Sequence, residues 1–175
     1  MNRPTLFIFS GLPGVGKSSL AKALTERTGA VYLRIDTVEQ AIRDLCDFRV
    51  EGEGYRLSYR LASDNLKLGN NVIADSCNPI ALTREEWNAV ALNSNANFIN
   101  IEVICSAEYE HQKRVKTRAS EIPGLVLPTW EQVQKREYHP WASDRVVIDT
   151  SLGLSNSIEK LIYDLAERGY INMGR

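Results

Sequence analysis

The apolar positions of this chain fall into short β-prone runs separated by stretches with helical spacing. Thr5 to Phe9, Val31 to Ile35, Asn71 to Asp75, Phe98 to Cys105 and Val146 to Asp149 read as strands. A helix opens near Ser18, with Leu20 and Leu24 one turn apart and Gly29 as its stop. Val38, Ala41, Ile42 and Leu45 recur at helical spacing in a second helix, for which Thr37 is the expected cap. Glu51-Gly52-Glu53-Gly54 reads as a flexible polar link. Tyr55 to Leu68 then reads as a helix with Leu57 and Leu61 on one face and Gly69 ending it. Thr83 begins another helix, with Trp87, Val90, Ala91 and Ser94 facing in. Ser106 is expected to cap a helix that runs through His111 to about Arg118. Thr129 and Gln132 form a capping-box pattern for a short helix ending near Tyr138. Ser155 or Ser157 starts the last helix, whose inner face is Ile158, Leu161, Ile162 and Leu165. Strands alternating with helices predict an α/β fold, a parallel sheet covered on both faces.

Length and composition keep this reading simple. The 175 residues suit a single domain spanning 1–175, with no internal repeat or linker. Net charge is −1, so no overall field favours nucleic acid or an anionic membrane. Cys46, Cys77 and Cys105 are far apart and form no C-x-x-C, which points to reduced thiols and a cytoplasmic setting. The N-terminal apolar run is too short for a signal segment, and no stretch approaches the length of a membrane span.

One motif carries specific chemistry. Gly11-Leu12-Pro13-Gly14-Val15-Gly16-Lys17-Ser18 reads G-x-x-x-x-G-K-S, between the first strand and the first helix. Gly11, Gly14 and Gly16 allow positive φ and close approach to an anion. Backbone N–H groups and the helix dipole then face the phosphates of a nucleotide. Lys17 is expected at the β- and γ-phosphates and Ser18 on Mg²⁺, with nucleotide contacts running on to Ser19. ATP and Mg²⁺ are the implied cofactors.

Three acids stand at expected strand ends, where ligands of open α/β sheets bind: Asp36, Asp75 and Asp149. Asp75 fits a Mg²⁺-orienting acid, or a cap for the following turn. Ser76 follows it, so the adjacent acids of motor ATPases are missing. Asp36 fits a general base for an acceptor hydroxyl, with a helix cap or a ribose contact as alternatives. Asp149 reads as structural or as a neighbour of the adenine pocket, which Trp130 or Trp141 could instead line. Arg114 and Arg118 are four residues apart in a basic cluster, on one helix face. They precede the two-proline segment 122–128, which reads as a lid, so both are expected to clamp the transferring phosphoryl group. Arg34, Arg56, Arg60 and Asn78 are candidate acceptor contacts. His111 and His139 show no metal-ligand spacing.

Together these residues resemble the small P-loop kinase superfamily, which includes the 5′-kinase domain of phage polynucleotide kinase, zeta toxins, chloramphenicol phosphotransferase and adenylylsulfate kinase. The segment Val72-Ile73-Ala74-Asp75-Ser76-Cys77-Asn78-Pro79 is similar to the family's third-strand acid followed by a polar turn. The resemblance implies a three-layer P-loop fold with strand order 2-3-1-4-5, a lid near 118–130, an acid at position 36 as the base, and lid arginines at 114 and 118. Arg34-Ile35-Asp36-Thr37 lacks the paired acids of polynucleotide kinases and the Asp-Gly-Asp-Asn of adenylylsulfate kinases, so no particular substrate carries over. The expectation is an ATP-dependent kinase acting on a hydroxyl of a small molecule: nucleoside-like, adenylylsulfate-like or sugar-like. The alternatives are a 5′-hydroxyl polynucleotide kinase, which the near-neutral charge disfavours, and a non-catalytic ATP-binding module. A GTPase switch is disfavoured because no N-K-x-D occurs. No obligate protein partner is evident.

Overall fold

The computed structural model describes residues 3–172. Its centre is β1 (Thr5–Ser10), every residue of which is buried. β1 pairs in parallel with β3 (Val72–Asp75) on one side and β4 (Asn97–Ile104) on the other. β2 (Val31–Arg34) and β5 (Val146–Asp149) form the edges, giving the order β2-β3-β1-β4-β5 in a parallel sheet, as the family resemblance implied.

The alternation of side chains along β1 sorts the core into two halves. Phe7 and Phe9 point to one face, with Leu20, Leu24, Leu161 and Leu165 from α1 (Lys17–Thr28) and α7 (Leu154–Glu167). Leu6 and Ile8 point to the other, with Ala62, Leu66, Trp87 and Ala91 from α3 (Glu53–Lys67) and α4 (Ala81–Asn93). The sheet is therefore the middle of three layers, and strands buried on both faces explain the continuous apolar runs. α5 (Glu108–Thr117) and α6 (Trp130–Gln134) form a smaller cluster against Leu12, through Val115, Trp130 and Val133. The Thr129–Gln132 capping box is present, but α6 stops at Gln134 rather than near Tyr138.

Several expected boundaries and faces shift. β2 ends at Arg34, where its partner β3 also ends, and α2 (Ile35–Cys46) starts at once. Ile35 is fully packed, so Thr37 is not the cap and Asp36 lies in the first turn of α2, where a carboxylate suits the dipole. Leu45 is 84% exposed, outside the stripe that spacing suggested. α3 begins at Glu53, so Glu53 and Gly54 belong to it rather than to a flexible link. It packs between α2 and α4 and buries Gly54, Ser58, Ala62 and Leu66, leaving Leu57 and Leu61 partly exposed. Small residues at i, i+4 spacing let neighbouring helices approach closely. A Cβ at Gly54 would overlap Cγ of Glu39 on α2. α4 begins two residues before Thr83, and α7 begins at Leu154 after Gly153. α5 ends at Thr117, so Arg118 has extended backbone beyond the helix and does not share a helical face with Arg114.

Candidate active site

The carboxyl ends of β1, β2 and β3 open into one cleft of about 710 Å³. Its floor is the phosphate loop. Gly11, Gly14 and Gly16 all have positive φ (141°, 86° and 99°), as the motif requires. Gly14 also packs tightly, because a Cβ there would lie 2.6 Å from Cγ2 of Val115 on α5. His111 of α5 bonds the Pro13 carbonyl at 2.9 Å through Nε2 and meets Trp130 edge-to-face. Both are more than nine-tenths buried, so Trp130 serves packing rather than base stacking. Lys17 is nearly buried and donates to the Leu12 carbonyl at 3.0 Å.

Pro13, Gly14, Gly16, Lys17, Ser18, Ser19, Arg34, Asp36, Arg56, Asp75, Arg114 and Arg118 all line this cleft. The fold thus brings these sequence-named residues together in one cleft. Arg60 and Asn78, expected at the acceptor, are not on its walls. Arg60 is exposed one turn further along α3 than Arg56. Asn78 is fully buried and braces the strand ends instead. Its Nδ2 donates to Ser10 Oγ at 2.9 Å, its backbone N donates to the Tyr55 hydroxyl at 3.0 Å, and its carbonyl accepts from Arg84 Nε at 3.1 Å. Arg84 also lies over the Trp141 ring at 4.0 Å, so that face is covered.

Asp75 is buried at the end of β3, and the Tyr32 hydroxyl donates to its Oδ2 at 2.6 Å. Burial first, and then the Asp75 charge, push the Tyr32 phenol above its ordinary range. Ser18 stands close enough to the Tyr32 hydroxyl to oppose that rise, so Ser18, Tyr32 and Asp75 form one cluster. Hydroxyl and carboxylate oxygens at the foot of a phosphate loop are hard donors that fit Mg²⁺. No group of three or more His, Cys, Asp or Glu suited to a metal occurs among the described residues, so phosphate oxygens would complete such a shell.

Asp36 is exposed at the cleft wall, and Glu39 lies one turn on along α2 in the same cleft. Burial, and then the Asp36 charge, raise the Glu39 carboxyl above the usual carboxylate range, against the opposing pull of Arg43. Arg114 is anchored rather than free. Its Nε donates to Glu110, Nη1 to Thr150 Oγ1 at 2.8 Å, and Nη2 to the Thr150 carbonyl at 3.0 Å. Thr150 in turn donates from Oγ1 to the Val15 carbonyl at 2.7 Å, which couples α5 to the phosphate loop. Asp149 accepts from the backbone N of Ser106 and Ser151, closing the turn after β5. Tyr32, Glu39 and Thr150 were missed in the sequence. Glu39 carried a usable signal, since it is three residues after Asp36 on a helix.

The sequence matches the AAA domain family over residues 6–137. No curated protein matches it. Among solved structures, a provisionally assigned kinase from Chloroflexus aurantiacus is similar at TM-score 0.71 and 21% identity, covering 97% of this chain and 99% of that one. A gluconokinase from Sinorhizobium meliloti is similar at TM-score 0.67 and 17% identity, covering 99% of this chain and 100% of that one. The APS kinase of Mycobacterium tuberculosis, in complex with AMPPNP and APS, is similar at TM-score 0.71 and 17% identity, covering 95% and 99%. At such identities the likeness establishes a common fold. With the motif in place at the head of α1 and the match spanning most of the sequence, the chain belongs to the AAA domain family of P-loop proteins and has the fold of the small kinases it resembles.

Proposed function

We propose that this protein is an ATP-dependent phosphotransferase acting on a hydroxyl group of a small molecule. The observation that carries the reading is that Lys17, Ser18, Asp36, Asp75 and Arg118 line one cleft. A phosphate loop alone serves motors, switches and kinases alike. A carboxylate exposed in the same cleft suits transfer to an acceptor. The structural neighbours named as a gluconokinase and an APS kinase support the same direction.

In this reading the phosphate loop, Gly11 to Ser19, cradles the triphosphate through its backbone N–H groups. Lys17 leaves the Leu12 carbonyl for the β- and γ-phosphates. Ser18 and Asp75 would hold Mg²⁺, which would supply neutralisation of phosphate charge. Tyr32 fixes the Asp75 carboxylate in place. Asp36 accepts the proton of the acceptor hydroxyl as its oxygen forms the new bond to phosphorus. The bond to the β-phosphate oxygen breaks and ADP leaves. Arg118 and the two Nη hydrogens of Arg114 not bonded to Thr150 face the charge spread over the transferred oxygens. Arg56 stands on the acceptor side, as does Glu39.

The test is a panel of sugar acids, sugars, nucleosides, adenylylsulfate and 5′-hydroxyl oligonucleotides, incubated with ATP and Mg²⁺. Phosphorylated product is detected by mass. A small-molecule product supports the proposal, whereas labelled oligonucleotide ends alone overturn it. So does tight ATP binding with no product across the panel, which would leave a binding module.

A further inference from the structure

The segment between α5 and α6 places its own carboxylate on the cations of the cleft. Oε2 of Glu121 accepts from Lys22 Nζ at 2.6 Å and from Arg34 Nη1 at 2.9 Å. Lys22 lies one turn beyond Ser18 on α1, and Arg34 ends β2 beside Asp75. Arg118 begins the same segment, directly after α5. All four of these residues line the cleft.

The balance of this cluster is uneven. The Glu121 side chain is 61% exposed, while that of Arg34 is only 18% exposed. Nε of Arg34 and Nε of Arg118 are both shut off from solvent and find no hydrogen-bond partner among the described residues. Burial lowers the Arg118 pKa, and the bonds from Lys22 and Arg34 lower that of Glu121. Of the nearby carboxylates, Asp75 is engaged with the Tyr32 hydroxyl. A single exposed oxygen therefore answers two cations, Lys22 and Arg34, and exposed ion pairs of this kind are weak. An anion with more oxygens would use donors that Glu121 leaves idle.

Position selects among the anions. β2 and β3 lie on the Asp36 side of the phosphate loop, away from β4 and β5. We propose that Lys22 and Arg34 form an anion subsite for the acceptor, for which Glu121 is the built-in placeholder. The acceptor class is then a hydroxyl compound that also carries a carboxylate, sulfate or phosphate. Its anion displaces Glu121, and the released segment 118–129 swings with it. This rests on the phosphotransferase reading and narrows its substrate.

Inorganic sulfate is the probe, titrated calorimetrically at low ionic strength into protein saturated with AMPPNP and Mg²⁺. The phosphate loop is then filled through its γ position, so sulfate reports the second site. Glu121→Gln is expected to bind sulfate at least about 5-fold more tightly than wild type, because the competing carboxylate no longer occupies the site. Adding Arg34→Gln should abolish the gain, and Lys22→Gln in the wild-type background should weaken sulfate binding. Unchanged affinity in Glu121→Gln overturns the proposal, as does a gain that persists without Arg34. Sulfate binding with ADP but not with AMPPNP also overturns it, because the anion would then be the transferred phosphoryl group. The titration needs no turnover. Its failure would leave Asp36-dependent transfer standing, and the absence of transfer would leave the titration unaffected.

Discussion

Thr150→Val is the substitution that most sharply separates a coupled lid from a merely adjacent one. Thr150 is 2% exposed, and valine reproduces its shape without Oγ1. The change removes the bond to the Val15 carbonyl at 2.7 Å and the bond from Arg114 Nη1 at 2.8 Å. A neutral buried hydrogen bond is worth about 0.5–1.5 kcal/mol, and one to a charged group about 1.5–3 kcal/mol. The Arg114 side chain is 27% exposed, so its bond belongs at the low end of that range. Together they give a loss of about 2–3 kcal/mol. For a domain of this size that lowers Tm by about 4–12 °C. The bond from Arg114 Nη2 to the Thr150 carbonyl survives, so the guanidinium loosens without leaving. Thermal unfolding of wild type, Thr150→Val, Arg114→Ala and the double variant measures the coupling. Residues sharing a bond should show an interaction energy of about 1 kcal/mol. A Tm for Thr150→Val within about 1 °C of wild type, or strict additivity of the two substitutions, would refute the coupling.

Two further outcomes follow from the same geometry. Tyr32→Phe leaves buried Asp75 without its 2.6 Å donor and should cost about 1.5–3 kcal/mol in urea unfolding without nucleotide. Mg²⁺ with AMPPNP should narrow that gap, and equal stability of the two proteins without nucleotide would count against the cluster. Burial alone would raise the Asp149 carboxyl, but bonds from Ser106 and Ser151 outweigh it and hold the pKa at about 2, against an ordinary 3.8. A depressed carboxylate stabilises the fold above its unfolded value and loses that contribution as pH falls through its folded value. The Tm advantage of wild type over Asp149→Asn should therefore be full above pH 4 and shrink between pH 4 and about 2. A gap that does not change with pH would contradict this.

The sheet and the phosphate loop were legible because both rest on short-range pattern. Buried strands give apolar runs, and the G-x-x-x-x-G-K-S spacing leaves the backbone few choices. The helix faces were less legible. Leu57 and Leu61 share one face in the sequence, and α3 turns a different one inward, with Gly54, Ser58 and Ala62, because α2 and α4 flank it closely. Only the tertiary arrangement makes small residues more valuable there than leucines. Asp36 lines the cleft but from the first turn of α2 rather than from a strand end, because nothing local marks where an edge strand runs out of partner. Arg118 lost its helical pairing with Arg114 when α5 ended one residue earlier than expected, yet both side chains still reach the cleft. Tyr32, Thr150 and Glu121 act through partners 43, 36 or more, and 87 or more positions away in sequence, which no local pattern encodes.

The most direct measurement compares wild type with Asp36→Ala, in acceptor-dependent ADP release and in binding of AMPPNP with Mg²⁺. If Asp36 is the base opposite the phosphate loop, turnover falls by about 10²–10⁴-fold. Nucleotide affinity stays unchanged, because Asp36 lies in the first turn of α2, outside the phosphate loop. Wild-type turnover in the variant, or a loss of nucleotide binding that accounts for the fall, would contradict that assignment.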